Sequence, residues 1–197
     1  TLEYESERVA IELAIPGTHN AINTAGAVAV LIGLGFGLAE SAKAVAGFSG
    51  TDRRFQLHGD VSGVCVYDDF AHHPTEVAAA LKAAKAACGK GRLITVFQPH
   101  LFSRTRIFYR EFAEALALGD ISVVTSIYAA REDPEPGVTA SLITDAFLDK
   151  DAVRLVPEWD DVPKAVAEIA QPGDFVITMG CGDIYKMVPA LISALDK

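Results

Sequence analysis

Two short polar segments hold most of the side chains in this sequence that could do acid–base or anion-binding chemistry. Residues 68–74 (DDFAHHP) bring two carboxylates and two imidazoles together. Residues 98–106 (QPHLFSRTR) contain His100 and two arginines, of which Arg104 could hold a carboxylate or a phosphate through two parallel hydrogen bonds. The first segment comes directly before a predicted helix and the second leads into the start of another, and the positive end of a helix would favour a bound anion.

Each segment also has a plainer interpretation. In the first, an aspartate could cap the following helix while His72 and His73 bond to the backbone. A metal site is not favoured there, because adjacent side chains of an extended segment point apart and no second pair lies one helical turn away. In the second, Arg104 and Arg106 could pair with glutamates of the same helix on the surface.

A third segment, residues 180–183 (GCGD), follows a predicted strand and could cradle a phosphate. It lacks the full GxGxxG pattern, and the carboxylate of Asp183 opposes an anion. Close packing of strand and helix explains its glycines equally well. The sequence contains no GxxxxGK[ST] loop, so any nucleotide chemistry would need a phosphate-binding loop from elsewhere.

Composition limits the classes of function. The chain has 197 residues with a formal net charge of −9, and 50% of its residues are hydrophobic. This length allows one full domain, or one domain and part of another. The acidic balance argues against nonspecific binding to nucleic acid or to an anionic membrane, whereas a small anion could still be held by a few arginines.

Cysteine usage and hydropathy predict a soluble protein of the cytoplasm. Cys65, Cys88 and Cys181 are widely spaced and belong to no CxxC or Cys/His cluster, so neither a disulfide framework nor a metal site is predicted. The apolar stretch at residues 21–37 is interrupted by glycines and an Asn-Thr pair and is too short for a membrane span.

The elements that would position these segments alternate between strand and helix from about residue 50. Such alternation predicts an α/β fold with a doubly wound, mostly parallel sheet, in which ligands bind beyond the carboxyl ends of the strands. The predicted strands are residues 55–59, 64–67, 93–97, 121–125, 153–156 and 175–179. The predicted helices are residues 74–87, 104–118, 140–148, 159–170 and 184–195.

The first 50 residues have a different character. A strand pattern runs through Leu13, and two helices follow at residues 21–34 and 39–46, the first capped by Thr18 or Asn20. The first helix is apolar on nearly every face and is expected to be buried on all sides. One strand and two helices cannot close a core, so we expect residues 1–50 to be the tail of another domain and residues 51–197 to form the main one.

Four segments in order along the chain resemble the ATP-dependent Mur ligases. They are residues 16–23 (PGTHNAIN), 52–55 (DRRF), 68–76 (DDFAHHPTE) and 97–105 (FQPHLFSRT). The resemblance implies that residues 51–197 are the Rossmann-like C-terminal domain of such an enzyme. It also implies that residues 1–50 are a remnant of the central ATPase domain.

The resemblance further implies an activity. The segments at 68–76 and 97–105 are the more specific ones, and they resemble the Mur ligases that use ATP and magnesium to join L-alanine to UDP-N-acetylmuramate through an acyl phosphate, in peptidoglycan synthesis. The UDP-binding domain, the phosphate-binding loop and the magnesium ligands of the family lie upstream of the segments found here. The partners implied are therefore the two substrates and those upstream domains, and this chain alone is expected to have no turnover.

For the nucleotide, the resemblance implies roles for four residues. Asn20 and Asn23, three apart on one helix, would contact the adenine of ATP, although a buried core amide is the alternative for Asn23. Arg54 would reach the ATP phosphates and take part in catalysis. Asp69 would hold the ribose or order its loop.

For the acyl group and the acceptor, it implies roles for four more. His72 and His73 would face the reacting acyl group, as catalytic residues. His100 and Arg104 would bind the carboxylate of L-alanine. Leu101 departs from relatives that carry arginine at that position, which removes one candidate cation from the amino-acid pocket.

Three alternatives remain at this point. One is a related ligase that attaches a recycled tripeptide to UDP-N-acetylmuramate. It shares the DDFAHHP segment, whereas the segment at 97–105 favours the enzyme that adds L-alanine. Another is a non-catalytic module that binds a small molecule. A flavodoxin-like electron carrier is less favoured, because it would need a Ser/Thr-rich phosphate loop where this chain has Asp and His.

Overall fold

The computed structural model describes residues 1–15 and 17–196. The described residues divide into two compact units, the first ending at Asp52 and the second starting at Arg53. Pro16, within the segment at 16–23, lies outside the described residues. Among the described residues, no helix has the length and apolarity needed to cross a membrane.

The first unit is a small hairpin followed by two helices. Its elements are β1 (Leu2–Tyr4), β2 (Glu7–Val9), α1 (Thr18–Gly33) and α2 (Leu38–Ala46), with β1 and β2 antiparallel. The strand predicted through Leu13 ends at Val9, because its partner β1 offers only three residues. The predicted cap is also wrong: α1 starts at Thr18 with Gly17 as its N-cap, and no side chain caps it.

Helix α1 is largely exposed. Val28 is its buried residue, whereas Ile22, Val30 and Leu34 are 67%, 64% and 71% exposed. The expectation that α1 is buried on all sides is therefore not met in this structure. The hairpin and α2 cover only one side of this helix. An apolar helix face is buried only where another element packs against it, so the other faces of α1 are exposed.

The second unit is built on a six-stranded sheet with the order β3-β4-β8-β5-β6-β7. Its strands are β3 (Gln56–Val61), β4 (Val64–Asp69), β5 (Leu93–Phe97), β6 (Ile121–Val124), β7 (Val153–Leu155) and β8 (Phe175–Met179). β3 is antiparallel to β4, and all other pairs are parallel. The predicted α/β class with a mostly parallel sheet is confirmed.

Helices cover both faces of this sheet, which is why its central strands are apolar throughout. Every residue of β5 and β8 is buried. On one face Val77, Phe112 and Ile143 pack into one core; on the other, Val166 and Leu191 pack into a second. The helices are α3 (Pro74–Ala87), α4 (Phe102–Leu116), α5 (Ser141–Asp145), α6 (Val162–Ile169) and α7 (Val188–Leu195).

The helix bounds agree with the prediction at α3 and differ elsewhere. α4 begins two residues earlier than predicted and has a kink at Phe108, where φ is −117° and ψ is 16°. Single 3₁₀ turns at Trp159–Asp161 and Ile184–Met187 precede α6 and α7, at positions predicted as α-helix.

Candidate functional site

The loops that follow β4, β8 and β5 meet at one edge of the sheet, because these strands are parallel neighbours. Backbone hydrogen bonds join them: Gly180 N donates to Asp69 O at 3.2 Å, and Gln98 N donates to Met179 O at 3.0 Å. The Gln98 side chain also accepts from Ile184 N at 3.1 Å. The three segments predicted to carry chemistry therefore form one site.

The two histidines of the β4–α3 loop are held by the backbone. His73 is the N-cap of α3 and accepts from Thr75 N through Nδ1 at 3.4 Å. His72 Nδ1 lies 3.0 Å from Phe70 O and 3.2 Å from a carboxylate oxygen of Glu76. The plainer interpretation of this loop is thus correct for the histidines and wrong for the cap, which is His73 and not an aspartate.

Asp69 organises the same loop. Its side chain is nearly buried and accepts hydrogen bonds from Phe55 N at 2.9 Å and from Ala71 N at 2.8 Å. Burial raises the pKa of the Asp69 carboxyl, although these hydrogen bonds and Arg54 oppose the shift. Of the two roles predicted for Asp69, ordering of the loop is the one these contacts perform, and a contact with a ribose stays a prediction.

Arg104 lies in the first turn of α4 and reaches across to the β4–α3 loop. Its Nη1 donates to His72 O at 3.3 Å, which leaves the rest of the guanidinium fork for another acceptor. It does not pair with Glu111 or Glu114, so the surface-pair interpretation is wrong for this residue. Arg106 does form an exposed pair, but with Glu135.

His100 lies beside Arg104. Its ring stacks on Tyr128 with centroids 5.7 Å apart and lies 6.2 Å from the ring of His72. Burial lowers the pKa of His100, and the charges of Arg104 and His72 lower it further. A lowered pKa favours the neutral imidazole at pH 7, which can donate one hydrogen bond to a carboxylate while the positive charge comes from Arg104.

Leu101, the N-cap of α4, has a strained backbone. Its φ is 72°, in the left-handed region that is costly for a leucine, and its side chain is 6% exposed. Strained residues of this kind concentrate at functional loops. Position 101 is thus filled by a buried apolar side chain, which supplies no charge to a bound anion.

The two adjacent arginines at the start of this unit have opposite surroundings. Arg54 is exposed, with its guanidinium 5.7 Å from the centre of the Phe70 ring. Arg53, which the sequence did not single out, donates to Asp68 Oδ2 at 3.1 Å and to Gly180 O at 2.5 Å. The available signal was Asp68 itself, since a carboxylate inside an apolar strand needs a cation.

The glycines after β8 are required by close packing. A Cβ at Gly180 would lie 2.8 Å from Gln98 O, and one at Gly182 would lie 2.6 Å from both Gln98 Oε1 and Tyr128 Cγ. This supports the packing interpretation of the GCGD segment. Burial raises the pKa of the intervening Cys181 thiol.

The remaining predicted residues belong to the first unit. Asn20 and Asn23 lie in the first two turns of α1, three residues apart as predicted. Asn20 is half-buried and Asn23 is exposed, so the alternative of a buried core amide at Asn23 is wrong. Their contact with adenine stays a prediction. Across residues 1–15 and 17–196, no three His, Cys, Asp or Glu side chains come together in a way that could hold a metal ion.

One known protein family matches most of this chain. The sequence model of the family described as "Mur ligase, glutamate ligase domain" matches residues 53–182, which include the loops of the site. The chain belongs to the Mur ligase family. The predicted resemblance to this family is therefore confirmed.

Individual Mur ligases are similar over almost the whole chain. The UDP-N-acetylmuramate–L-alanine ligase of Clavibacter michiganensis is 50% identical over 198 residues, covering 100% of this chain and 42% of the relative. A crystal structure of UDP-N-acetylmuramate–alanine ligase from Thermotoga maritima has a TM-score of 0.78 at 27% identity, covering 94% of this chain and 40% of that one.

A murein peptide ligase from Psychrobacter arcticus is also similar. Its crystal structure has a TM-score of 0.70 at 26% identity, and the match covers 95% of this chain and 39% of that one. The chain spans about two fifths of the length of the curated Mur ligases that it matches.

Proposed function

We propose that this chain is the C-terminal part of an ATP-dependent ligase that joins L-alanine to the carboxylate of UDP-N-acetylmuramate. The observation that carries the proposal is the position of Arg104, at the meeting point of three loops with its guanidinium fork only partly used. The 50% identity to a Clavibacter enzyme of this name over the whole chain supports it.

In this proposal the second unit supplies the binding site for the acceptor. Arg104 pairs with the carboxylate of L-alanine, and neutral His100 adds a hydrogen bond. His72 and His73 line the same edge, where the acyl phosphate is attacked by the alanine amine and inorganic phosphate leaves. Desolvation between the loops strengthens each of these contacts.

ATP and magnesium are the cofactors proposed for the complete enzyme. Exposed Arg54 is proposed to reach a phosphate of ATP, and Asn20 and Asn23 are proposed for the adenine. Magnesium would neutralise the charge that develops on the phosphoryl oxygens. Its ligands are proposed to lie in upstream domains that act as partners of this chain.

The domain assignment is part of the same proposal. Residues 1–50 would be the tail of the central ATP-binding domain and residues 51–197 the C-terminal domain. The family match starts at residue 53, and the compact units divide at Asp52. We propose the cytoplasm as the compartment, which suits a chain whose three cysteines are free thiols.

A ligase for the recycled tripeptide is the second candidate, favoured by the similarity to the Psychrobacter murein peptide ligase. The two are separated by measuring phosphate release by the full-length ligase with ATP and UDP-N-acetylmuramate. The acceptors offered are L-alanine and L-Ala-γ-D-Glu-meso-diaminopimelate, with a reaction lacking the nucleotide sugar as control.

Turnover with L-alanine supports the proposal, and turnover with the tripeptide alone moves the assignment to the recycling enzyme. No phosphate release with either acceptor would favour a non-catalytic binding module. The 197-residue chain alone is expected to release no phosphate, since none of its described residues forms a phosphate-binding loop.

A further inference from the structure

The first turn of α4, which carries Arg104, is held from the side by the loop between β6 and α5. Glu132 in this loop accepts hydrogen bonds from Ser103 N at 2.9 Å and from Ser103 Oγ at 2.5 Å. These bonds, with one from Phe102 N, hold the pKa of Glu132 below its usual range. The cap of α4 thus comes from a residue 29 positions further along the chain.

This outside cap replaces a local one. The N-cap residue of α4 is Leu101, which offers no side-chain acceptor, and the first turn contains no acidic residue. The first N–H groups of a helix need partners from outside it, and its positive end favours a counter-charge. Glu132 accepts from two of these N–H groups, those of Phe102 and Ser103, and supplies the counter-charge.

The segment that carries Arg104 is also separated from the rest of its helix. It lies between the strained backbone of Leu101 and the kink at Phe108. Regular helix geometry beyond Phe108 therefore does not by itself fix the direction in which Arg104 points. The β6–α5 loop does run along this segment, with Leu101 N donating to Tyr128 O at 2.9 Å.

We propose that Glu132 is a positioning residue for the acceptor site: by capping the first turn of α4 it sets the Arg104 guanidinium to receive the carboxylate of the incoming amino acid. This inference rests on the function proposed above. Glu132 acts through Ser103 and the helix backbone, and it does not itself contact the acceptor.

The matched control is Glu135, three residues later in the same loop. It pairs with Arg106 on the same helical segment. Both side chains of that pair are exposed, so the pair contributes little to stability. Glu135→Gln therefore removes an equal charge from the same loop and leaves the cap in place.

The test compares the kinetics of the full-length ligase with those of Glu132→Gln, Glu132→Ala and Glu135→Gln. We expect Glu132→Ala to raise KM for L-alanine about fivefold, the factor that corresponds to the typical cost of a lost helix cap, with kcat changed much less. Glu132→Gln keeps one acceptor and should fall between Glu132→Ala and the wild type. Glu135→Gln should match the wild type.

A double-mutant cycle with Arg104→Ala shows whether the effect passes through Arg104. In the Arg104→Ala background, Glu132→Ala is expected to cause no further rise in KM for L-alanine. An equal rise in both backgrounds, an unchanged KM, or a loss confined to kcat would overturn the inference.

The 197-residue chain provides a readout that does not depend on turnover. Nuclear magnetic resonance should show that Glu132→Gln shifts the Ser103 amide and Arg104 Nε–H signals, whereas Glu135→Gln does not. An unchanged Arg104 signal in Glu132→Gln would overturn this inference, whether or not the ligase is active. Lack of activity with L-alanine would contradict only the proposed function.

Discussion

Arg53 donates a hydrogen bond from Nε to Asp68 Oδ2 at 3.1 Å, and this carboxylate is completely buried. The same guanidinium donates to the carbonyl oxygens of Gly180 and Gly182 in the loop after β8. One side chain therefore neutralises a buried charge and fixes one of the three loops of the site.

Replacing Arg53 by alanine should destabilise the protein strongly. Asp68 would keep its hydrogen bond from Thr178 Oγ1 but lose its counter-charge, and an unpaired buried carboxylate is costly. We expect the free energy of unfolding, measured by urea denaturation, to fall by about 3 kcal/mol. The exposed neighbour provides the control: Arg54→Ala should change it by less than about 0.5 kcal/mol. Equal effects of the two substitutions would contradict this account.

Stability in acid should depend on Asp174. Burial alone would raise the pKa of Asp174, but hydrogen bonds from Arg92 and from Gln171 N bring it below its usual range. The unfolded chain therefore binds more protons below about pH 4, and the stabilisation present above that pH is lost as pH falls through the folded-state pKa.

Denaturation curves measured between roughly pH 4 and pH 2 test this expectation. The free energy of unfolding should fall more steeply with decreasing pH in the wild type than in Asp174→Asn. Asp160→Asn, at an exposed position, should follow the wild type. Parallel curves for Asp174→Asn and wild type would show that this carboxylate does not contribute.

Arg104 and His100 should contribute unequally to the acceptor site. Because the lowered pKa favours neutral His100, the charge that holds a carboxylate comes from Arg104, and losing a charge-assisted hydrogen bond costs roughly 10- to 150-fold in affinity. We expect Arg104→Ala to raise KM for L-alanine by this factor in the full-length ligase. Arg104→Lys should recover part of the loss, because it keeps the charge but not the fork.

His100→Gln should raise the same KM less than about tenfold, because it loses only a neutral hydrogen bond. A larger effect of His100→Gln than of Arg104→Ala would reverse the roles given to these side chains.

Gly182 should not tolerate alanine. The added Cβ would meet the Gln98 amide and the Tyr128 ring at 2.6 Å, so either the loop or the ring that stacks on His100 has to move. Overpacking of this kind typically costs about 2 kcal/mol, which thermal or urea denaturation would detect. Gly26→Ala, in α1 with no atom within 4 Å of the new Cβ, is the control and should be neutral or stabilising. A tolerated Gly182→Ala would mean that the loop has more freedom than its contacts indicate.

The sequence was informative where structure is locally encoded. β5 and β8 have the predicted bounds because their continuous apolar runs are buried on both faces of the sheet. α3 also has its predicted bounds, since Pro74 at its first position marks the start of the helix.

The failures occur where contacts are distant in sequence. The start of α4 was placed two residues late because its cap, Glu132, lies in another loop. The pair Arg53 and Arg54 gave no sign of which side chain points inward, since that depends on Asp68 and on the loop after β8. The three loops were predicted correctly to meet at one edge of the sheet, as the parallel topology requires, while the roles of their residues stay predictions.

The place of β8 between β4 and β5 affects how the protein folds as it is synthesised. The ribosome releases β4, β5, β6 and β7 before the strand that joins β4 to β5. Until residue 179 has emerged, the two halves of the sheet have unpaired edges, and exposed edges of this kind favour aggregation. A nascent chain that ends before β8 is therefore expected to need protection from aggregation. A premature stop codon there would remove both the strand that joins β4 to β5 and the last loop of the site.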